Sequence, residues 1–298
     1  MLSALNIALP SIGKEFGLNT IELGWVATSY ILSASIFLIP FGKLADMVGR
    51  KKIFLYGMAI YGLISLFIVF SFSGTMLIIL RAIQGIGAAM IFGTGMAILI
   101  SVTPPKERGK VLGINVASVY LGLSLGPFVG GFLTQHLGWQ SIFYLNSITS
   151  IIVVILGATK LHGEWAEEAK RKFDLWGAIF FSLTMFLLMF GSSRLPQMVG
   201  TITIIAGVIS LFIFVLLELR IEYPVLPMKL FTQNTVFAYS NLAALINYSA
   251  TSAITFLLSL YLQSVKGLSP QMAGIVLVAQ PIFMAALSRA NIPEAERK

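Results

Sequence analysis

The chain has 298 residues, of which 57% are hydrophobic and only 11% charged, and its mean hydropathy is +0.90. Soluble domains keep about a quarter of their residues charged, so this composition excludes a water-soluble globular protein and implies an all-α, polytopic membrane protein. Zero cysteines exclude disulfides, thiolate metal sites and a cysteine nucleophile, and the net charge of +8 is distributed in a way that argues against nucleic acid.

Apolar segments follow one another at 1–13, 23–41, 53–72, 75–101, 111–134, 141–159, 175–192, 199–217, 235–261 and 272–288. The loops between them alternate in charge. One set carries Lys43, Arg50, Lys51 and Lys52, then Lys106, Arg108 and Lys110, then Lys160, Lys170, Arg171 and Lys172, then Arg220 and Lys229, and finally Arg289, Arg297 and Lys298. The other set carries only Lys14, Arg194 and Lys266. By the positive-inside rule the first set is cytoplasmic, which predicts a multi-pass protein of the cell (plasma or inner) membrane with both termini inside.

Loop lengths divide the chain. Residues 1–159 are six spans joined by short loops; 160–174 is a polar cytoplasmic linker, with a short amphipathic helix expected around Trp165. Residues 175–217 hold two further spans, and 218–298 begin a second helical half and end in a polar tail.

Four stretches stand out. Asn6-Ile7-Ala8-Leu9-Pro10 lies in the first segment. The hairpin Gly42-Lys43-Leu44-Ala45-Asp46-Met47-Val48-Gly49-Arg50-Lys51-Lys52 packs one acid and four bases into eleven residues. Gly42 and Gly49 permit tight turns and close helix approach, and Asp46 stands where an arginine or a helix N-terminus can hold it. In the fourth segment, Arg81 is followed by Gln84, Gly85 and Gly87. An arginine inside a span is a functional candidate by default, or else it snorkels to the membrane surface. The Gly-x-Gly lies mid-helix with no preceding strand, so close helix packing explains it better than a dinucleotide site. In the fifth segment, Gly122, Gly126, Pro127, Gly130 and Gly131 combine a helix-kinking proline with small residues that admit a neighbouring helix.

These stretches resemble the major facilitator superfamily of secondary transporters, the hairpin matching its G-x-L-a-D-r-x-G-r-R/K loop except that Met47 replaces the usual arginine. Asn6 to Ile12, Gly138-Trp139-Gln140 with Phe143 and Asn146, Phe173 to Gly177, and Tyr261 to Gly274 extend the resemblance, which is to the fourteen-helix drug:proton antiporters. The resemblance implies proton-coupled export of drugs or amphipathic solutes by alternating access. Gly42, Asp46, Gly49, Arg50 and Lys51 would form the cytoplasmic gate loop; Arg81, Gln84 and Gly85 would serve coupling; Gly122, Gly126, Pro127, Gly130 and Gly131 would shape the antiporter helix. For Arg50, Lys51 and Lys52 plain topological anchoring is the alternative.

Asn6, Trp25, Tyr30, Asn115, Asn241 and Asn247 are the candidates for a substrate cavity; interhelical hydrogen bonding and an interfacial aromatic belt compete with that reading. The expected partners are a small amphipathic or cationic substrate, protons and membrane lipid. No cofactor or metal is expected beyond the proton gradient, and no catalytic set supports an enzyme. The branch carries an acid five residues before the first-helix asparagine, where this chain has Met1, and four more helices after the last segment. About ten segments of an expected fourteen are therefore present, and a truncated, non-transporting remnant, or a transporter of another small solute, is the alternative expectation.

Overall fold

A computed structural model describes residues 2–166 and 173–279, and all of its regular structure is helical. The elements run α1 (Leu2–Phe16), α2 (Thr20–Val48), α3 (Arg50–Val69), α4 (Gly74–Val102), a 3-10 turn, α5 (Arg108–Leu137) and α6 (Gln140–Lys160). After the linker come α7 (Leu175–Ser193), α8 (Met198–Glu218), the short α9 (Lys229–Gln233), α10 (Thr235–Leu260) with a π-turn at its end, and the apolar α11 (Pro270–Ala279). Every apolar segment expected from the sequence begins a helix near its expected start. The remainder of the 272–288 segment, the tail from 280 and linker residues 167–172 lie outside the described residues.

Eight of these helices are long and apolar enough to cross a bilayer, and the side chains they turn outward, such as Leu63, Phe67, Ile79, Ile151, Ile155 and Phe212, are large and hydrophobic. A soluble protein does not tolerate that much contiguous apolar surface; a lipid-facing bundle requires it. Helix starts are set by local polar groups. Asn19 and Glu22 form a reciprocal capping box at α2, while Ser73, Asp174 and Asn234 cap α4, α7 and α10 through the amides of Met76, Gly177 and Phe237.

The core joins the first six helices: Leu5, Leu9 and Ile12 of α1 meet Val26, Ala27, Ile68, Leu77, Ile142 and Phe143. α4 lies between α2 and α3, α6 lies against α3, α1 rests on α5, and α7 pairs with α8 and reaches α2. One expectation changes. The Gly42 to Lys52 hairpin is not a loop: α2 continues to Val48 and α3 begins at Arg50, so Gly49, at φ +126°, is the whole break. Only glycine adopts that backbone readily, which lets a single residue reverse the chain. Of the linker in which a helix is expected around Trp165, residues 161–166 are non-helical and lie along the start of α3, and 167–172 lie outside the described residues.

Candidate functional site

Among the described residues, two polar systems and a cavity hold most of the expected site residues. The first system is built on the Gly49 break. Arg50 Nε donates to Asp46 Oδ1 at 2.7 Å and Nη1 donates to Ser101 Oγ at 2.9 Å, which ties the end of α2 to the end of α4. Asp46 and Arg50 lie on different helices, and the turn at Gly49 brings them together. The linker then seals the open end of α3: the Arg50 amide donates to Trp165 O and the Lys51 amide to Glu164 Oε1, each at 2.9 Å, while Lys51 Nζ donates to Leu161 O. These are the amides that a helix N-terminus leaves without partners, and a carboxylate is the acceptor that the helix dipole favours there. A Cβ on Gly49 would collide with the Glu164 carboxyl. Gly42, by contrast, lies mid-helix, where its close neighbour is Gly93 of α4.

The second system surrounds Arg81, whose side chain is buried among protein atoms. Its Nε donates to Val26 O at 3.2 Å, Nη1 donates to Gln84 Oε1, and its guanidinium lies 4.2 Å above the Tyr30 ring. Gln84 Nε2 donates to Ser65 Oγ at 2.6 Å, and Ser65 donates to Tyr61 O at 2.7 Å, so one chain of hydrogen bonds crosses α2, α4 and α3. Gly85 and Gly87 make this possible by close approach. A Cβ on Gly85 would lie 2.8 Å from Ser33 Cβ, and one on Gly87 the same distance from Gly57 O. Arg81 Nη2 and Asn146 Oδ1 are both buried and without a partner among the described residues, and both residues line one small void.

The cavity, of about 690 Å³, opens between α1, α2, α4, α5, α10 and α11. Asn6, Thr28, Asn115, Asn247 and Tyr248 supply polar groups, and Ile31, Val119, Leu123 and Phe256 supply apolar wall; no charged side chain lines it among the described residues. Of the six cavity candidates, Asn6, Asn115 and Asn247 meet here. The other three do not: Tyr30 turns to Arg81, Trp25 lies beside Phe190 of α7, and Asn241 donates to Phe237 O on its own exposed helix face.

Prolines and glycines set the walls. Pro10 has no N–H for the carbonyl of Asn6, and Ser259 of α10 donates to that oxygen at 2.7 Å, while Gln263 Nε2 donates to Ile7 O at 3.1 Å. Pro40 likewise frees the carbonyl of Ile36, which accepts from Ser182 Oγ of α7 at 3.3 Å. On α5, Gly126 and Gly130 receive Ser3 and Ala4 of α1, Gly131 receives Pro270 and Gln271, and Gly274 of α11 in turn receives Pro127; Gly122 touches nothing within 4 Å.

Three further connections escape sequence reading. Glu15 accepts from Trp139 Nε1 at 2.7 Å, which gives the Gly138-Trp139-Gln140 stretch its role as an anchor for the end of α1. Glu22 closes the capping box at the start of α2 by accepting from the Asn19 amide. Glu164, one charge among several in the linker, is the group that closes α3.

A family model described as Major Facilitator Superfamily matches residues 1–291. Among curated proteins, the chain is 34% identical to the riboflavin transporter RibZ of Clostridioides difficile over 289 residues, covering 96% of this chain and 62% of that protein. It is 28% identical to the tetracenomycin C resistance and export protein of Streptomyces glaucescens (95% of this chain, 55% of that one). It is 30% identical to the multidrug resistance protein Stp of Mycobacterium tuberculosis (95% and 54%). The chain thus spans roughly three-fifths or less of the length of these relatives.

Proposed function

The chain belongs to the major facilitator superfamily of membrane transporters, and we propose that it works in proton-coupled export of drugs or other amphipathic small molecules by alternating access. The observation that carries this reading is the cavity of about 690 Å³ between α1, α2, α5 and α10, where Asn6, Asn115 and Asn247 face apolar and aromatic wall. A few polar groups set in an apolar cleft suit a solute with one wet and one greasy side. Relatives named for tetracenomycin C export and multidrug resistance support the substrate class.

In this reading the basic end of the bundle faces the cytoplasm. The Asp46–Arg50–Ser101 cluster is its gate, closing α2 against α4, and the Arg81 network couples α2, α3 and α4 within the membrane. Pro127 and the α5 glycines let α1 and α11 move against one wall of the cavity.

A second substrate reading has its own support. The cavity lining carries no charge among the described residues, which suits a neutral, flat solute better than a cation, and one relative is a riboflavin transporter. Flux measurements on membrane vesicles carrying the protein, with a lipophilic dye cation and with riboflavin under an imposed pH gradient, separate the two. Dye movement that needs the gradient and falls in Asn115→Leu and Asn247→Leu supports drug:proton exchange. Riboflavin movement with no dye movement supports the second reading. Dye movement indifferent to the gradient and to both substitutions overturns the proposal.

A further inference from the structure

We propose that Asp174 and Glu218 form a binding site for one proton, held between Asp174 Oδ2 and Glu218 Oε1 at the basic end of the α7–α8 pair, apart from the cavity and the Arg81 network. Asp174 is the N-cap of α7 and Glu218 the last residue of α8, and both are buried. One oxygen of each carboxyl is already committed: Asp174 Oδ1 accepts from the Gly177 amide and Glu218 Oε2 from the Leu226 amide, each at 2.8 Å. The other two oxygens are buried, without a partner among the described residues, and converge over Gly177, where a Cβ would overlap both. Gly177 is the residue that lets the two carboxyls meet.

Two converging acceptors with no donor between them are not a stable arrangement, because like charges at contact in a buried place do not both ionise. A proton resolves the conflict: one carboxyl becomes a donor to the other, and a single negative charge remains, held by two backbone amides. A metal ion fits worse. Hard cations take about six or more oxygen ligands, whereas here two oxygens are free and the nearby backbone groups are N–H donors of the wrong sign. Among the described residues no basic side chain is bonded to the two converging oxygens. At the same end, α2 carries Lys43 and Asp46 and the turn after α8 carries Arg220, Glu222 and Tyr223, yet none of them is a hydrogen-bond partner of Asp174 Oδ2 or Glu218 Oε1, and Asp46 is engaged by Arg50.

The consequence is mechanical. Asp174 ends the linker, Glu218 ends α8, and Leu226 belongs to the turn leading to α9, so the shared proton fastens the start of α7 to the end of α8, which itself holds that turn.

The test is infrared spectroscopy of the full chain in lipid near neutral pH. The expected result is a carboxylic acid C=O band that shifts in D2O and is lost in both Asp174→Asn and Glu218→Gln, whose amides keep the shape and the donor. A wild-type spectrum without that band, or a band that persists in both variants, overturns the proposal. If either amide variant does not accumulate, Glu218→Asp keeps a carboxyl at altered reach; a displaced band supports the site and an unmoved one overturns it. Replacing sodium by choline should leave the band unchanged. A band that appears only without sodium identifies a monovalent-cation site instead and overturns the assignment to a proton.

Discussion

Ser259 of α10 donates its hydroxyl to the carbonyl of Asn6, the group that Pro10 deprives of a helical partner. The bond is 2.7 Å long and spans 253 residues, so a proline in the first helix has its compensation near the far end of the described chain. Within a bilayer a freed carbonyl has no water to turn to, and a neighbouring hydroxyl is the usual remedy. Ser259→Ala is therefore expected to destabilise the protein by about 1–3 kcal/mol, the cost of one buried acceptor left without a donor. Pro10→Ala restores the amide and should make Ser259 dispensable. In a double-mutant cycle of thermal unfolding in detergent, the Ser259→Ala penalty should shrink markedly in the Pro10→Ala background. Equal penalties in both backgrounds would show that the two residues act independently.

The linker contact at α3 gives a second prediction. Glu164 supplies the acceptor for Lys51 N–H, so Glu164→Ala removes a cap and should cost about 0.5–2 kcal/mol, whereas Glu164→Gln keeps an acceptor oxygen and should cost less. Gly49→Ala is expected to be the most severe of the three, since it combines a φ of +126° with a collision against the Glu164 carboxyl. Limited proteolysis of the linker, at Lys160 for example, checks the same contact, because its release from α3 should speed cutting in Glu164→Ala and Gly49→Ala. Cutting at the wild-type rate in both would mean that the linker is not held there.

The Arg81 site separates two kinds of contact. Tyr30 meets the guanidinium with its ring face, at 4.2 Å, and Tyr30→Phe preserves that face. Tyr30→Phe should thus stay within about 1 kcal/mol of wild type, whereas Tyr30→Ala should lose about 3–5 kcal/mol through the cavity and the lost cation–π contact. Arg81→Lys keeps the charge but not the fork that addresses Val26 and Gln84 together, and it is expected to unfold at lower temperature than wild type. Thermal melts of the purified variants decide the order. A Tyr30→Phe variant as weak as Tyr30→Ala would move the key interaction from the ring to its hydroxyl.

Local features were the legible ones. The membrane-length helices show in hydropathy because each is long and apolar, and a partner for Asp46 shows because acid and base crowd into one short polar stretch. What pairs across the bundle does not show. Glu164 lies 113 residues from Lys51 and Glu15 lies 124 residues from Trp139, and no spacing rule joins them. The facing of polar residues was hidden for another reason. Membrane helices are apolar on nearly every side, so periodicity does not tell a wall residue from one turned to a neighbour. Asn115 and Asn247 therefore read no differently from Asn241, although only the first two reach the cavity. The non-helical course of 161–166 was hidden as the Glu164 pairing was, because the Arg50 amide of α3, far away in sequence, takes the Trp165 backbone oxygen.

The α5 glycines make the sharpest contrast within one element. Gly130 faces α1 so closely that a Cβ there would lie 2.7 Å from Ala4 Cα and 2.8 Å from Ala4 O, both backbone atoms with no rotamer to yield. Gly130→Ala should force α1 and α5 apart, with a loss of about 1–3 kcal/mol from overpacking and a lower yield of folded protein. Gly122, two turns earlier, has nothing within 4 Å, and there alanine's better helix propensity should leave stability unchanged or raise it by up to about 1 kcal/mol. Since α1 contributes Asn6 and α5 contributes Asn115 to the cavity, Gly130→Ala should also weaken transport while Gly122→Ala does not. Equal tolerance of alanine at both positions, in melting temperature and in flux, would mean that α1 does not rest on α5 as closely as this geometry requires.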